Sequence, residues 1–306
     1  MPSVVVDHVW KRFGTTDVVA DLSFEVFPGE VLGFLGPNGA GKTTTMRMIL
    51  DIIRPDRGSI TVFGTLPGIH HQTRVAYLPE DRGLYRDVPV IDTLAYFGAL
   101  RGMTMSRAKE RARELLTEVG LGDSMTKKGA ELSRGMHQKA QLVATIINDP
   151  DLLIVDEPFQ GLDPVNAVML KGLLTEQRDR GAAIVMSTHD MVDAQTLCDR
   201  IVLIDKGRRL LYGTVSDVRN AFSDGAVEVV GRNLPVDASS LRSAEHATAS
   251  DGSVRYLLRE GMTAQDLYRE LADSTAAVER FAVEAPNLEE IFVSAVAGDA
   301  RTEQVA

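Results

Sequence analysis

Residues Gly36 to Thr44, GPNGAGKTT, directly follow the apolar run Val31, Leu32, Gly33, Phe34 and Leu35. Gly36, Gly39 and Gly41 let the backbone turn tightly and approach an anion without a Cβ in the way. After Pro37, which has no N–H, successive backbone N–H groups of Asn38-Gly39-Ala40, and the N-terminus of the helix that must follow, point at the same place. Lys42 adds a positive charge suited to β and γ phosphates, and the Thr43 hydroxyl, followed by Thr44, suits a Mg²⁺ shell. This is the spacing of a phosphate-binding P-loop, and it imposes a strand, a tight loop and a helix in that order. Met46, Met48, Ile49, Leu50 and Ile53 supply the apolar face of that helix.

The remaining pattern extends this unit into an α/β domain. Ser3 to Phe13 and Val18 to Phe27 read as two strands closed by the turn Pro28-Gly29-Glu30. Ser59 to Phe63 and Arg74 to Leu78 are short strands, the latter broken by Pro79 and the polar loop Glu80-Asp81-Arg82-Gly83. Helical periodicity covers Val90 to Gly102, Arg107 to Val119 with Ser106 as the expected N-cap, and Leu132 to Ile147. The runs Asp151 to Asp156 and Ala183 to Ser187 do not alternate, which marks strands buried on both faces of a parallel sheet. Ala167 to Arg180 reads as a helix, and Ile201 to Tyr212 as a hairpin across Lys206-Gly207.

Composition divides the chain. At 306 residues it exceeds the usual single domain. From residue 221 onward 15 Asp and Glu face 7 Arg and no Lys, so this segment carries −8 of the net −10. We therefore expect domains at 1–220 and 221–306, the second a small α+β unit with strands at Val227 to Val230, Val254 to Leu258 and Val278 to Val283. Its helices are expected at Thr263 to Leu271 and after Asn287, where Glu290 three residues on completes a capping box. The acidic balance argues against a nucleic-acid partner. Cys198 is the single cysteine, which excludes an internal disulfide and fits a reducing compartment. No signal peptide or apolar span of about 18 residues is recognisable, so a membrane link is expected through a partner. The pair His70-His71 is expected in an exposed loop.

A P-loop alone allows several phosphoryl-transfer chemistries. The strand ending Asp156-Glu157-Pro158 puts two carboxylates where ligands of open α/β sheets bind. Asp156 can hold Mg²⁺, and Glu157 can orient and deprotonate a water. An acidic strand end at the surface would look the same. Ser133 and Gly135, at a helix entrance, offer a hydroxyl and amide to a phosphate; a plain N-cap has the same residues. His189 follows a buried strand, as Asp156 does, so both should emerge at one sheet edge.

Taken together, Met1 to about Asn220 resembles the nucleotide-binding subunits of ATP-binding cassette (ABC) transporters. Leu132-Ser133-Arg134-Gly135-Met136 is similar to that family's LSGGQ signature, Asp156-Glu157 to its Walker B, Gly161-Leu162-Asp163-Pro164 to its D-loop and His189 to its switch histidine. The resemblance implies a P-loop NTPase of ABC type, with a mainly parallel sheet, an antiparallel β subdomain and a helical subdomain. It implies ATP and Mg²⁺, catalytic roles for Glu157, His189 and Lys42, and a nucleotide held by the P-loop, Phe13 (under the adenine), and Ser133, Gly135 and Asp163. Thr43, Asp156 and Glu80 would serve the metal. Phe13 as an edge-strand core residue is the structural alternative.

The resemblance further implies a homodimer or heterodimer around two ATP, a separate integral-membrane permease touching Asp87 to Met103, and a cytoplasmic location on the inner face of the membrane. Two departures stand out: Glu80 replaces a usual glutamine, and Arg134 and Met136 replace glycine and glutamine. A carboxylate at 80 repels a γ-phosphate unless metal or Arg82 offsets it. The tail from Glu284 to Phe292 resembles the extension of a bacterial subgroup that includes sodium and drug export ATPases, which leans the direction towards export. A permease-independent ATPase acting on ribosomes or nucleic acid is the alternative; such chains commonly carry two cassettes or long coiled coils, and here there is one P-loop and no sustained heptad. A P-loop kinase would need a phosphate-acceptor pocket, for which the sequence offers no candidate.

Overall fold

The computed structural model describes residues 1–79, 83–223, 225–250, 252–283 and 286–298. The chain divides into two compact units between Val215 and Ser216. Among the described residues no helix is long and apolar enough to cross a membrane.

The first unit opens with β1 (Val4–Phe13) and β2 (Thr16–Val26), followed by β3 (Val31–Leu35), α1 (Lys42–Ile49) and β4 (Arg57–Val62). β1 lies between β2 and β4 in an antiparallel sheet whose inward residues, among them Val4, Val6, Leu22 and Phe24, are buried. β5 (Val75–Leu78) leads into three helices, α2 (Val90–Leu100), α3 (Met105–Glu118) and α4 (Arg134–Ile146). Then β6 (Leu152–Asp156), α5 (Pro164–Asp179), β7 (Ala183–Thr188), α6 (Met191–Leu197) and the hairpin β8 (Arg200–Asp205) and β9 (Arg208–Thr214) complete the unit.

The order in the central sheet is β5-β6-β7-β3-β8-β9, parallel except for the β8–β9 pair. All of β3, β6 and β7 is buried, which accounts for their unbroken apolar runs. The register pairs Asp156 with Ser187 and Leu35 with Thr188. The loops after β3, β6 and β7 therefore leave the sheet side by side, at the crevice where ligands of such sheets bind. Phe24 of the antiparallel sheet and Phe34 of β3 meet with ring centroids 5.3 Å apart, within one core that also takes Met46, Met48 and Ile49 from α1.

In the helical layer α2 lies close on α3, because Gly98 has no Cβ to strike the Ala108 methyl. Arg101, just past α2, donates to the Ala144 and Thr145 carbonyls at 2.9 and 2.8 Å, satisfying acceptors in the last turn of α4. Thr104 caps α3, accepting from the Arg107 amide, so the expected cap at Ser106 is corrected. Gly102, at φ +91°, ends α2 in a left-handed turn that lets the next helix begin earlier, with Ser106 inside it. The expected helix at Ala167 starts at Pro164 with Asp163 as cap. His70-His71 needs correction too: His71 is only 7% exposed, its ring 4.0 Å from that of His70 and its Nε2 3.0 Å from Thr65 Oγ1.

Past α7 (Val215–Ala221), the second unit carries β10 (Ala226–Arg232), β11 (Ala244–Ser250), β12 (Ser253–Leu258), α8 (Ala264–Ala272), β13 (Ala277–Val283) and α9 (Leu288–Val296). Its antiparallel sheet has the order β11-β12-β10-β13. Val227, Val229, Val254 and Tyr256 pack with Leu267 and Leu271 of α8 into a separate core. The Tyr256 hydroxyl donates to the Pro235 carbonyl at 2.8 Å, and burial pushes its pKa up to about 12. Asn287 and Glu290 form the expected capping box at α9.

Candidate functional site

Backbone sterics build the loop after β3. A Cβ at Gly41 would come 2.6 Å from the Val18 carbonyl oxygen, and one at Gly207 2.5 Å from the same atom. Gly41, at φ +107°, opens α1 without a side-chain cap, so its first amides are available to an anion. The Ala40 amide donates to Pro37 O at 3.1 Å, and Ala40 O accepts from the Gly207 amide at 3.0 Å. The β8–β9 turn, with Lys206 and Gly207 both at positive φ, thus braces the loop from behind.

The cleft in front of this loop has a volume of about 330 Å³. Of the expected site residues, Pro37, Asn38, Gly39, Gly41, Lys42, Thr43, Thr44, Asp156 and Glu157 line it. Gly36 and Ala40 form its inner turn. Lys42 is 7% exposed; its Nζ donates to Gly36 O at 2.7 Å and Pro37 O at 3.3 Å and lies 3.8 Å from Glu157 Oε1. An ammonium held on carbonyl oxygens and one carboxylate is set to exchange them for a more highly charged phosphate.

Two oxygens converge beside it. Thr43 Oγ1 donates to Asp156 Oδ2 at 2.9 Å, and Ser187 Oγ donates to Asp156 Oδ1. Hydroxyl and carboxylate oxygens are the donors a Mg²⁺ ion takes, and these two sit at the P-loop end of α1, so the residues fit that ion. Ser187 also accepts: the Glu157 amide donates to Ser187 O at 3.2 Å and Oγ at 3.1 Å. Glu157 has φ +49°, a left-handed conformation that non-glycine residues adopt at a cost and that collects at functional sites. His189 Nδ1 lies 3.0 Å from both Glu157 oxygens, with half of the imidazole exposed. The carboxylate is therefore flanked by Lys42 on one side and His189 on the other.

Other expected residues stand apart from this cleft. Phe13, at the end of β1, is 48% exposed with the Lys11 ammonium 5.5 Å from its ring centroid, and is not among the cleft's lining residues. Ser133 caps α4 through the Met136 amide at 3.3 Å and is exposed, with Gly135 beside it. Neither lines the cleft of its own chain. Asp163 caps α5, and the Asn166 amide, at 3.0 Å, with the Asn166 side chain holds its carboxyl below the usual carboxylate range. Glu80 lies outside the described residues, as do Asp81 and Arg82. Sequence reasoning missed Ser187 and Gln160, which also lines the cleft. A polar residue at the end of an otherwise apolar strand was the available signal for Ser187.

Residues 19–160 match the family described as ABC transporter, and 213–296 match the C-terminal domain of DrrA1-3-like ATP-binding proteins. YhaQ of Bacillus subtilis, named as an ABC transporter ATP-binding protein, is 33% identical over 96% of this chain and 98% of its own length. Nod factor export ATP-binding protein I of Burkholderia lata is 40% identical over 70% of this chain and 72% of its own. Among solved structures, an ATP-binding subunit of an ABC transporter is similar with TM-score 0.67 and 32% identity, covering 72% of this chain and 92% of that one. CbiO1 of Clostridium perfringens shares the fold, with TM-score 0.64 and 22% identity over 71% and 90% of the two chains. The segment matched by the ABC transporter family spans the P-loop and the paired carboxylates, YhaQ matches over nearly the whole chain, and the chain belongs to the ABC transporter ATP-binding proteins, as an ATPase subunit of that family.

Proposed function

We propose that this subunit dimerises around two ATP molecules and powers a separate integral-membrane permease, in the direction of export. The observation that carries the mechanism is the Glu157 carboxylate, aimed over the P-loop by its left-handed backbone and held between Lys42 and His189. Lys42 and the loop amides spread the charge of the β and γ phosphates. Mg²⁺ bound through Thr43 and Asp156 supplies further charge neutralisation there. Glu157 accepts a proton from the attacking water, while His189 orients that water and the γ-phosphate.

Ser133, Gly135 and Asp163 act from the partner chain, closing the second side of each nucleotide, and Phe13 stacks on adenine. Glu80 joins the metal shell. The permease contact falls on Asp87 to Met103, where α2 exposes Tyr96 and Leu100 beside Tyr85 and Val88, an apolar surface suited to a docking partner. The chain then works on the cytoplasmic face of the membrane, attached through that permease. The second domain, from about residue 221, is an accessory unit of the same subunit. Support for export comes from the Nod factor export proteins among the relatives and from the match to the DrrA1-3-like C-terminal domain.

The test is Glu157→Gln, which keeps shape and hydrogen bonding but cannot take the proton. ATP binding is expected to persist while turnover falls by at least about 100-fold and an ATP-bound dimer accumulates on size-exclusion chromatography. Turnover near the wild-type rate would overturn the assignment of the base.

A further inference from the structure

Arg134 occupies the first turn of α4, where a positive charge opposes the helix dipole and no acidic residue of that turn offsets it. A side chain kept against its local preference points to a compensating contact elsewhere. Gly161 provides one. A Cβ there would overlap the Arg134 guanidinium, 2.5 Å from Cζ and 3.0 Å from Nε, so the absent side chain is what admits the cation. Arg134 Nη2 also donates to the Gln160 carbonyl at 3.4 Å. One helical turn on, along the same face, Gln138 Nε2 donates to Pro158 O at 2.9 Å and Gln160 O at 3.3 Å.

Two side chains of the signature helix thus grip the backbone that immediately follows Glu157. Arg134, Gln138 and Glu157 line the same small cavity, of about 40 Å³, so the grip and the carboxylate are neighbours. Glu157 holds a left-handed conformation, which persists only where the surroundings over-determine it. We propose that Arg134 is a positioning residue for hydrolysis, clamping residues 158–161 of its own chain together with Gln138, and so linking the signature segment to the base within one subunit. The inference rests on Glu157 acting as that base.

The test is steady-state ATPase activity of the full chain against MgATP concentration for Arg134→Ala, Arg134→Lys, Gly161→Ala and Glu157→Gln. Arg134→Ala is expected to lower kcat about tenfold, the scale of a small misplacement of a catalytic group, with KM within about twofold of wild type. Arg134→Lys, which keeps charge and a donor, should recover part of the loss. Gly161→Ala should also lower kcat, because the new methyl displaces the flexible guanidinium and alanine is in addition strained at the φ of +72° held there. An unchanged kcat in Arg134→Ala overturns the clamp. So does a raised KM at constant kcat, which would mark Arg134 as a contact to the partner's nucleotide, or a silent Gly161→Ala. If Glu157→Gln abolishes turnover while Arg134→Ala is silent, the clamp alone fails. If Glu157→Gln turns over normally, the base assignment fails, and any loss in Arg134→Ala acts through another group, overturning the inference as stated.

Discussion

Ser187 shows how one residue can serve two others. Fully buried near the end of β7, it donates a hydroxyl hydrogen bond to Asp156 and accepts one from the Glu157 amide, tying the expected metal ligand and the expected base to the neighbouring strand. A different polar residue, His71, carries a pH signature. Burial, and then the neighbouring His70, pull its pKa below the ordinary imidazole value of about 6.5. The folded state therefore binds fewer protons there than the unfolded state, so its contribution is full above pH 6.5 and is lost as pH falls through the lowered pKa. We expect urea unfolding of His71→Gln, which keeps a polar partner for Thr65, to lose less stability than wild type between pH 7.5 and pH 5. Identical pH slopes for the two proteins would refute this. The P-loop, Asp156, Glu157 and His189 could be read from sequence because each lies at a strand end or directly after one. The burial of His71 could not, since Phe63 and Thr65, which cover it, are brought there by a turn that the local pattern does not encode.

At the level of elements, the unbroken apolar runs of β3, β6 and β7 announced the centre of the sheet, whereas β11 and α6 went unanticipated. β11, AEHATAS, is an edge strand with mostly exposed residues, so it shows no apolar alternation. α6 has seven residues, about two turns and too short for a repeating apolar face to stand out, and is started by the Asp190 carboxylate accepting two amides. The central strand also depends on one contact invisible in its own residues. A Cβ at Gly33 would fall 2.7 Å from the buried Cys198 sulfur and 3.3 Å from Ile201 Cγ2. Gly33→Ala should therefore overpack the sheet and cost about 1–3 kcal/mol, measured by urea denaturation. In a Cys198→Ala background the 2.7 Å sulfur contact is gone and only the milder 3.3 Å contacts, to the retained Cβ of residue 198 and to Ile201 Cγ2, remain, so the cost should shrink measurably. Equal costs in both backgrounds would show that the sheet yields elsewhere.

For the whole molecule, the central issue is that the phosphate cleft and the signature entrance are separate places on one chain. Lys42 lies in the cleft, while Ser133 and Gly135 do not line it, although Ser133 presents its hydroxyl at the exposed start of α4. If the signature serves a phosphate, a second copy or a related chain has to bring it there. This makes a bulky cation at Ser133 a test of assembly rather than of fold. Ser133→Arg removes a helix cap worth about 1 kcal/mol, a loss that Ser133→Ala reproduces without the bulk. In a Glu157→Gln background with ATP, the Ala variant should still form dimers, and the Arg variant should bind nucleotide as a monomer with a Tm within a few degrees of the Ala control. Sedimentation velocity separates these outcomes. Dimers of undiminished affinity in Ser133→Arg would mean that the signature faces something other than the partner's nucleotide, and that the site is completed within one chain.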